Sequence, residues 1–254
     1  MKMNDYVLST RKLTKRFHGF CAISDVDINV REGAVHALIG PNGAGKSTCF
    51  NLITRFLTPS SGRIYYRGED ITSLRAAEVA GRGMVRSFQI SSIFPELSCI
   101  ENVEIAIQKR EGLSFNFWRH QRALQAHRDE TMDLLACTRL AAEAGQRAGS
   151  LPYGKRRALE IATTLAMNPS VLLLDEPMAG LGREDIAAIS DLIKEIRQGR
   201  TIVMVEHNLD VVRSLSDTVT VLEAGQVICQ GVYEEVSTNP RVMEAYLGAG
   251  DDDE

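Results

Sequence analysis

AVHALIGPNGAGKST, residues 34–48, decides the fold. Its first half is a short apolar run of the kind that forms a fully buried strand in a parallel sheet. Its second half fits G-x-x-x-x-G-K-[ST], and the KSTCFNLITRF that follows opens a helical pattern. Strand, Gly-rich turn and helix in that order are the context this pattern needs to bind a phosphate chain. Gly40, Gly43 and Gly45 let backbone N–H groups face a phosphate without a side chain in the way. The helix N-terminus adds a positive partial charge. The motif assigns Asn42, Gly43, Ala44, Gly45, Lys46, Ser47 and Thr48 to a nucleotide. Lys46 is expected to reach the β and γ phosphates, and the Ser47 hydroxyl to bind Mg2+.

Three further segments read as buried strands: MVRSFQ (84–89), VLLLDE (171–176) and TIVMVEH (201–207). Helical patterns lie between them, so the chain reads as an α/β fold with a mostly parallel core sheet. Ligands of such sheets collect at the carboxyl ends of the strands. Gln89, Asp175, Glu176 and His207 all lie there. Upstream, YVLSTRKL and AISDVDINV alternate like antiparallel strands, and GRIYYRGEDI (62–71) reads as strand and turn. These form a small N-terminal β layer beside the main sheet. ENVEIAIQKR and FWRHQRALQAHRDETMDLLACTRL are helical and charged, which makes residues 90–165 a helical insertion. His120 and His127 on its long helix read as a solvated face rather than a metal site. After His207 the pattern gives a short helix, a turn at EAGQV and a last helical stretch ending EAYLG. The predicted layout is one domain over 1–250, with the helical subdomain at about 90–165 and an acidic, disordered tail at 251–254.

The 254 residues carry 29 Lys and Arg against 33 Asp and Glu, a net charge of −4. That balance argues against a nucleic-acid partner. The N-terminal MKMNDYVLST has no apolar core of a secretory signal. No apolar run reaches the roughly 18 residues that span a bilayer, so any work at a membrane is done through a partner. Cys21, Cys49, Cys99, Cys137 and Cys229 are too scattered for a metal or redox motif and read as free thiols of a reducing cytoplasm.

VLLLDEP (171–177) is an apolar strand ending in two carboxylates. Neighbouring strand residues point to opposite faces, which predicts different tasks for the two. Asp175 is placed to hold Mg2+, directly or through water, and Glu176 to act as general base on the attacking water. Gln89 and His207, each weak alone, complete the set.

With these motifs in order, the chain resembles the ATP-binding subunits of ATP-binding-cassette (ABC) transporters. The likeness runs from LTKRF to EAYLG through GPNGAGKST, Gln89, LPYGKRRALEIA, VLLLDEP, AGLGRED and His207. It implies a P-loop ATPase fold, with ATP and Mg2+ as ligands. It implies that Gln89 contacts Mg2+ beside the contact with the membrane subunit, that His207 contacts the γ-phosphate, and that Phe17 in KRFHGF stacks on adenine. It also explains SLPYGKRRALEIA (150–162), a turn opening a basic helix without a catalyst in it. This is where the family has Leu-Ser-Gly-Gly-Gln, a loop that closes over ATP bound to the other subunit. Leu151 and Gly154 match it; Pro152, Tyr153 and Lys155 depart from it. Pro is compatible with a helix start. The helix is expected to bury Ala158, Ile161, Ala162 and Leu165.

The unusual loop is similar to one subgroup, the ATPases of importers of branched-chain and other hydrophobic amino acids. SGRIYYRGEDIT, IFPELSCIENVEIA, LPYGKRRALEIATTLAMNP, VEHNLDVV and NPRVMEAYLG carry that likeness. Implied partners are a second ATP-binding subunit, identical or not, transmembrane permease subunits and, indirectly, a solute-binding protein. The implied location is the cytoplasmic face of the inner membrane. Gly182 stands where Asn or Asp is usual in a dimer-contact loop, and Arg55 where a small residue is common. An ATPase of lipid or lipopolysaccharide export stays open as an alternative, as does a cassette without a transport role.

Overall fold

The computed structural model describes residues 6–87, 93–112 and 121–247. In chain order, β1 (Tyr6–Phe17), β2 (Phe20–Val26), β3 (Asn29–Arg31) and β4 (Val35–Ile39) lead into α1 (Lys46–Ile53). Next come β5 (Ser61–Tyr66), β6 (Glu69–Asp70), α2 (Ala76–Gly81) and β7 (Met84–Arg86). The helices α3 (Cys99–Arg110), α4 (Gln121–Cys137) and α5 (Tyr153–Leu165) follow. The last part holds β8 (Val171–Asp175), α6 (Arg183–Ile196), β9 (Thr201–Val205), α7 (Leu209–Leu215), β10 (Thr218–Glu223), β11 (Gln226–Gly231), α8 (Tyr233–Ser237) and α9 (Pro240–Leu247).

The main sheet has the order β11-β10-β4-β9-β8-β7 and is parallel from β10 to β7, with β11 antiparallel at one edge. Its strands are apolar because both faces are covered, and the period of two divides them between two cores. Leu172 and Leu174 of β8 and Ile202 and Met204 of β9 face one core, shared with α5 and α6. Val171, Leu173, Val203 and Val205 face the other, shared with α1 and the N-terminal layer. In that layer β1 pairs antiparallel with β2, β3 and β5, and β5 with β6. AISDVDINV is therefore two strands, β2 and β3, each added to β1.

Within the predicted helical region, α3, α4 and α5 pack on one another. Ser98 caps α3 in a reciprocal box with Glu101. The buried Asn102 side chain holds the preceding loop by donating to the carbonyls of Phe94 and Ser98 at 3.0 and 2.9 Å, while accepting from the Phe94 N–H at 2.6 Å.

Several expectations are corrected. The turn at EAGQV joins two strands, β10 and β11, and β10 is a fifth parallel member of the sheet. TVTVLE does not read as a buried run because Thr218 and Thr220 interrupt it. Thr220 is buried because its hydroxyl pairs with the imidazole Nε2 of His36 on β4, at 2.9 Å. Helix α5 is not simply amphipathic. Beyond the expected apolar stripe it also buries Arg157, Leu159, Glu160, Thr163 and Thr164, so most of its surface is covered. The predicted strands 171–176 and 201–207 end at Asp175 and Val205, and Glu176 and His207 follow them. Of the segment 84–89, Phe88 and Gln89 lie outside the described residues. So do His120 and the acidic tail. His127 is paired with Glu111, Nε2 to Oε2 at 3.0 Å.

Candidate active site

The loop between β4 and α1 is shaped by its own chain. A Cβ on Gly40 would lie 2.1 Å from the Leu222 carbonyl oxygen of β10, and one on Gly45 would lie 2.8 Å from the Ala22 carbonyl oxygen of β2. Gly45 is the residue before α1, with φ of 96°. Two of the glycines are thus required first by close backbone packing. Gly45 brings no capping side chain to α1, and among the described residues no side chain caps its first N–H groups, which a ligand could meet. Ala44 is buried and Ser47 exposed, on the first turn. The Lys46 ammonium donates to the carbonyls of Gly40 and Pro41 at 2.7 and 2.9 Å. Burial lowers the Lys46 pKa, and the charge of Glu176 opposes that shift. Lys46, from β4–α1, and Glu176, from the end of β8, therefore share one electrostatic site.

Three adjacent strand ends build this site. β4 carries the loop, β9 beside it leads to His207, and β8 beyond leads to Asp175 and Glu176. Asp175 is buried at 1% exposure. Its Oδ2 is paired with the Arg86 guanidinium of β7, whose Nη1 also donates to Asn51 of α1 at 2.6 Å. Oδ1 of Asp175 is buried and has no hydrogen-bond partner among the described residues. Glu176 leaves the strand with φ of +45°, a left-handed conformation unusual for this residue type. Glu176 lies just beyond the end of β8, so the alternation of strand residues does not govern its direction; the backbone turn does.

His207 is placed by its neighbour. Glu206, with no exposed surface, accepts from the N–H groups of His207 and Asn208 with Oε2, at 3.0 and 3.1 Å. Its Oε1 accepts from the N–H of Met178 at 3.0 Å. One carboxylate thus ties the turn after β8 to the turn after β9. Asn208 then caps α7, accepting from the N–H groups of Asp210 and Val211.

Phe17 and Phe20 pair at the tip of the β1–β2 hairpin, and both are exposed. Residues 22 and 23 of the same hairpin touch Gly45, so the tip stands next to the phosphate loop. Lys15 lies 4.9 Å from the centre of the Phe17 ring.

The loop 151–154 is held elsewhere in the chain. Leu151 is buried and Pro152 is the residue before α5. Tyr153 is half exposed, and its hydroxyl donates to the Ala179 carbonyl at 3.3 Å. A Cβ on Gly154 would lie 2.3 Å from the Asp185 carboxylate on α6. Gly154 is therefore demanded by contact with its own chain, and an acidic substitution there would first meet Asp185. Lys155 pairs with Glu143. Gly182 is the residue before α6 and supplies no capping side chain; Glu184 and Asp185 in the first turn meet the helix dipole instead. Arg55, unexplained by sequence, follows α1 with φ of +62°, and its guanidinium donates to the carbonyls of Leu74 and Leu57 at 3.0 and 3.3 Å.

Sequence reasoning missed Arg86, Arg157 and Glu206, all buried or nearly so. The signal for Glu206 was a carboxylate inside an otherwise apolar strand end, VMVEH. For Arg157 it was an i, i+3 partner, Glu160, on the same helix.

A phosphate loop on one strand, a carboxylate pair and a histidine on its parallel neighbours, and an aromatic tip beside the loop define a P-loop nucleoside triphosphatase. The comparisons sharpen this. A family model described as ABC transporter matches residues 23–179, and one described as branched-chain amino acid ATP-binding cassette transporter matches 226–252. The high-affinity branched-chain amino acid transport ATP-binding protein BraF of Pseudomonas aeruginosa is 35% identical, over 97% of this chain and 99% of its own. A crystal structure of the ADP conformation of MJ1267, an ATP-binding cassette of an ABC transporter, superposes with a TM-score of 0.83 at 31% identity, covering 95% of this chain and 98% of that one. The dimeric structure of MJ0796, a bacterial ABC transporter cassette, gives a TM-score of 0.76 at 25% identity, covering 89% and 98%. The chain belongs to the ABC transporter family and is its ATP-binding, ATP-hydrolysing component.

Proposed function

We propose that this protein powers the import of branched-chain or other hydrophobic amino acids, as a peripheral ATPase on the cytoplasmic face of the inner membrane. The observation that carries the reading is the junction of a phosphate loop, two carboxylates and a histidine at adjacent strand ends with the 226–252 match to the branched-chain family model. Among the described residues no helix is long and apolar enough to cross a membrane, which fits a subunit that acts through permease partners. Exposed Phe56, Phe94 and Ile105 line a groove between α2, β7 and α3. That groove is where the permease subunits dock in this reading.

In the proposed mechanism the N–H groups of 42–48 and Lys46 hold the triphosphate, and Phe17 stacks on adenine. An incoming phosphate takes Lys46 from the Gly40 and Pro41 carbonyls. Oδ1 of Asp175, which has no hydrogen-bond partner among the described residues, is a hard anionic oxygen donor of the kind Mg2+ prefers. With the Ser47 hydroxyl and Gln89 it would hold Mg2+, which supplies charge neutralisation when bound. Glu176 accepts the proton of the attacking water while the β–γ bridging P–O bond breaks. His207 contacts the γ-phosphate. Tyr153 and Gly154 are held against Ala179 and Asp185 of their own chain, and with Leu151 and Pro152 they form the loop that acts on ATP bound to a second cassette in this reading. Such a pairing, homodimer or heterodimer, completes the site.

Deleting the gene and measuring uptake of labelled leucine, isoleucine and valine tests the reading. Uptake is expected to fall and to return with the wild-type gene but not with Lys46→Ala. Unchanged uptake would refute the assignment. Co-purification with the permease and solute-binding partners would then identify the solute by what they hold.

A further inference from the structure

We propose that Arg157 is the positioning residue for Glu176, acting from the helix behind the 151–154 loop. The inference rests on Glu176 being the general base. The turn Asp175–Pro177 presents three consecutive carbonyls toward α5, and the Arg157 guanidinium takes all three. Nη2 donates to the carbonyls of Asp175 and Glu176 at 3.2 and 2.5 Å, and Nε donates to that of Pro177 at 3.0 Å. The remaining Nη1 donates to Glu160 one turn along at 2.8 Å. Arg157 and Glu160 are 9% and 6% exposed, so these bonds form out of water.

Glu176 needs such a device. It is a non-glycine residue at positive φ immediately after a buried strand, a conformation that persists only where surrounding contacts over-determine it. From below, the Glu206 carboxylate holds the N–H of Met178 at 3.0 Å. From above, Arg157 holds the carbonyls of residues 175, 176 and 177. The peptide planes on both sides of Glu176 are thereby fixed, and with them the direction of its side chain. The fork serves three carbonyls and the Glu160 carboxylate, four acceptors against the three donors of an ammonium, and it holds them in fixed planar geometry. In this arrangement Arg157 acts through Glu176.

The test is a double-mutant cycle on the full chain under single-turnover conditions with Mg·ATP. Arg157→Lys keeps the charge opposite Glu160 but loses the fork. A displaced base costs on the order of 10- to 100-fold in rate, so the chemical step is expected to slow by that factor with ATP affinity unchanged. In a Glu176→Gln background, where the base is already gone, the same Arg157→Lys change is expected to cost less than about twofold. Equal losses in both backgrounds, or no loss with Glu176 present, would overturn the proposal. If Arg157→Lys does not fold, Glu160→Gln, which loosens the guanidinium from the helix side, enters the same cycle with the same criterion. Wild-type turnover by Glu176→Gln itself would show instead that the underlying assignment of the base is wrong.

Discussion

Glu206→Gln changes one atom at the point where the two site turns meet, and the cost can be worked from the geometry. The carboxylate accepts three backbone N–H bonds, from Met178 on one oxygen and from His207 and Asn208 on the other. It has no exposed surface, so a missing bond cannot be replaced by water. An amide has one acceptor oxygen. Its better orientation keeps His207 and Asn208 and turns its NH2 toward the Met178 N–H, donor against donor. One charge-assisted bond worth roughly 1.5–3 kcal/mol is lost and two become neutral, at roughly half their strength. The easier burial of an amide than of a carboxylate offsets part of this. The net loss is about 2–4 kcal/mol, a large share of the roughly 5–15 kcal/mol that holds a protein folded. Urea unfolding followed by circular dichroism is the assay. The midpoint should fall with an unchanged slope, and ATP turnover should fall too, because the anchors of His207 and of the turn after Glu176 both move. A stability loss below about 0.5 kcal/mol would refute the reasoning.

Lys46→Ala is expected to abolish measurable ATP binding by calorimetry while leaving the fold intact, since the ammonium's partners here are two loop carbonyls that α1 does not depend on. Burial lowers the pKa of His36 to about 4 from an ordinary 6.5. The unfolded chain therefore takes up a proton before the folded one does, and stability is lost as pH falls from 6.5 toward 4. Between about pH 7.5 and pH 5 this site alone removes about 2 kcal/mol. Unfolding titrations should show that loss in wild type, and His36→Gln should be flatter by the same amount. Equal slopes in the two proteins would contradict the assignment to His36.

The parts legible in the sequence were those where local chemistry and fold agree. AVHALIGPNGAGKST could be read because strand, turn and helix each carry their own signal. VLLLDEP could be read because a strand covered on both faces tolerates carboxylates only at its end. β10 was missed because Thr218 and Thr220 break the apolar run, and the reason for Thr220 is a histidine almost two hundred residues away. Arg157 stands between Arg156 and Ala158 in a basic stretch that reads as a solvated face. Only packing against the 175–177 turn separates it from Arg156, whose guanidinium lies 5.6 Å from the centre of the Tyr153 ring. Likewise, Gly40 and Gly45 read as room for phosphate, and Gly154 as a match to the family's loop over ATP. The structure gives each a nearer reason in its own backbone or in Asp185. Gln89 lies outside the described residues, and its role rests on the family resemblance alone.

In the proposed mechanism Glu176 drives hydrolysis in a site completed by a second cassette. Sedimentation of Glu176→Gln with Mg·ATP measures it most directly, with wild type and ADP as controls. Hydrolysis should slow by about 10²–10⁴-fold. The variant should then sediment as a dimer with ATP and as a monomer with ADP. A variant that turns over ATP at the wild-type rate, or that stays monomeric with ATP bound, would contradict the account.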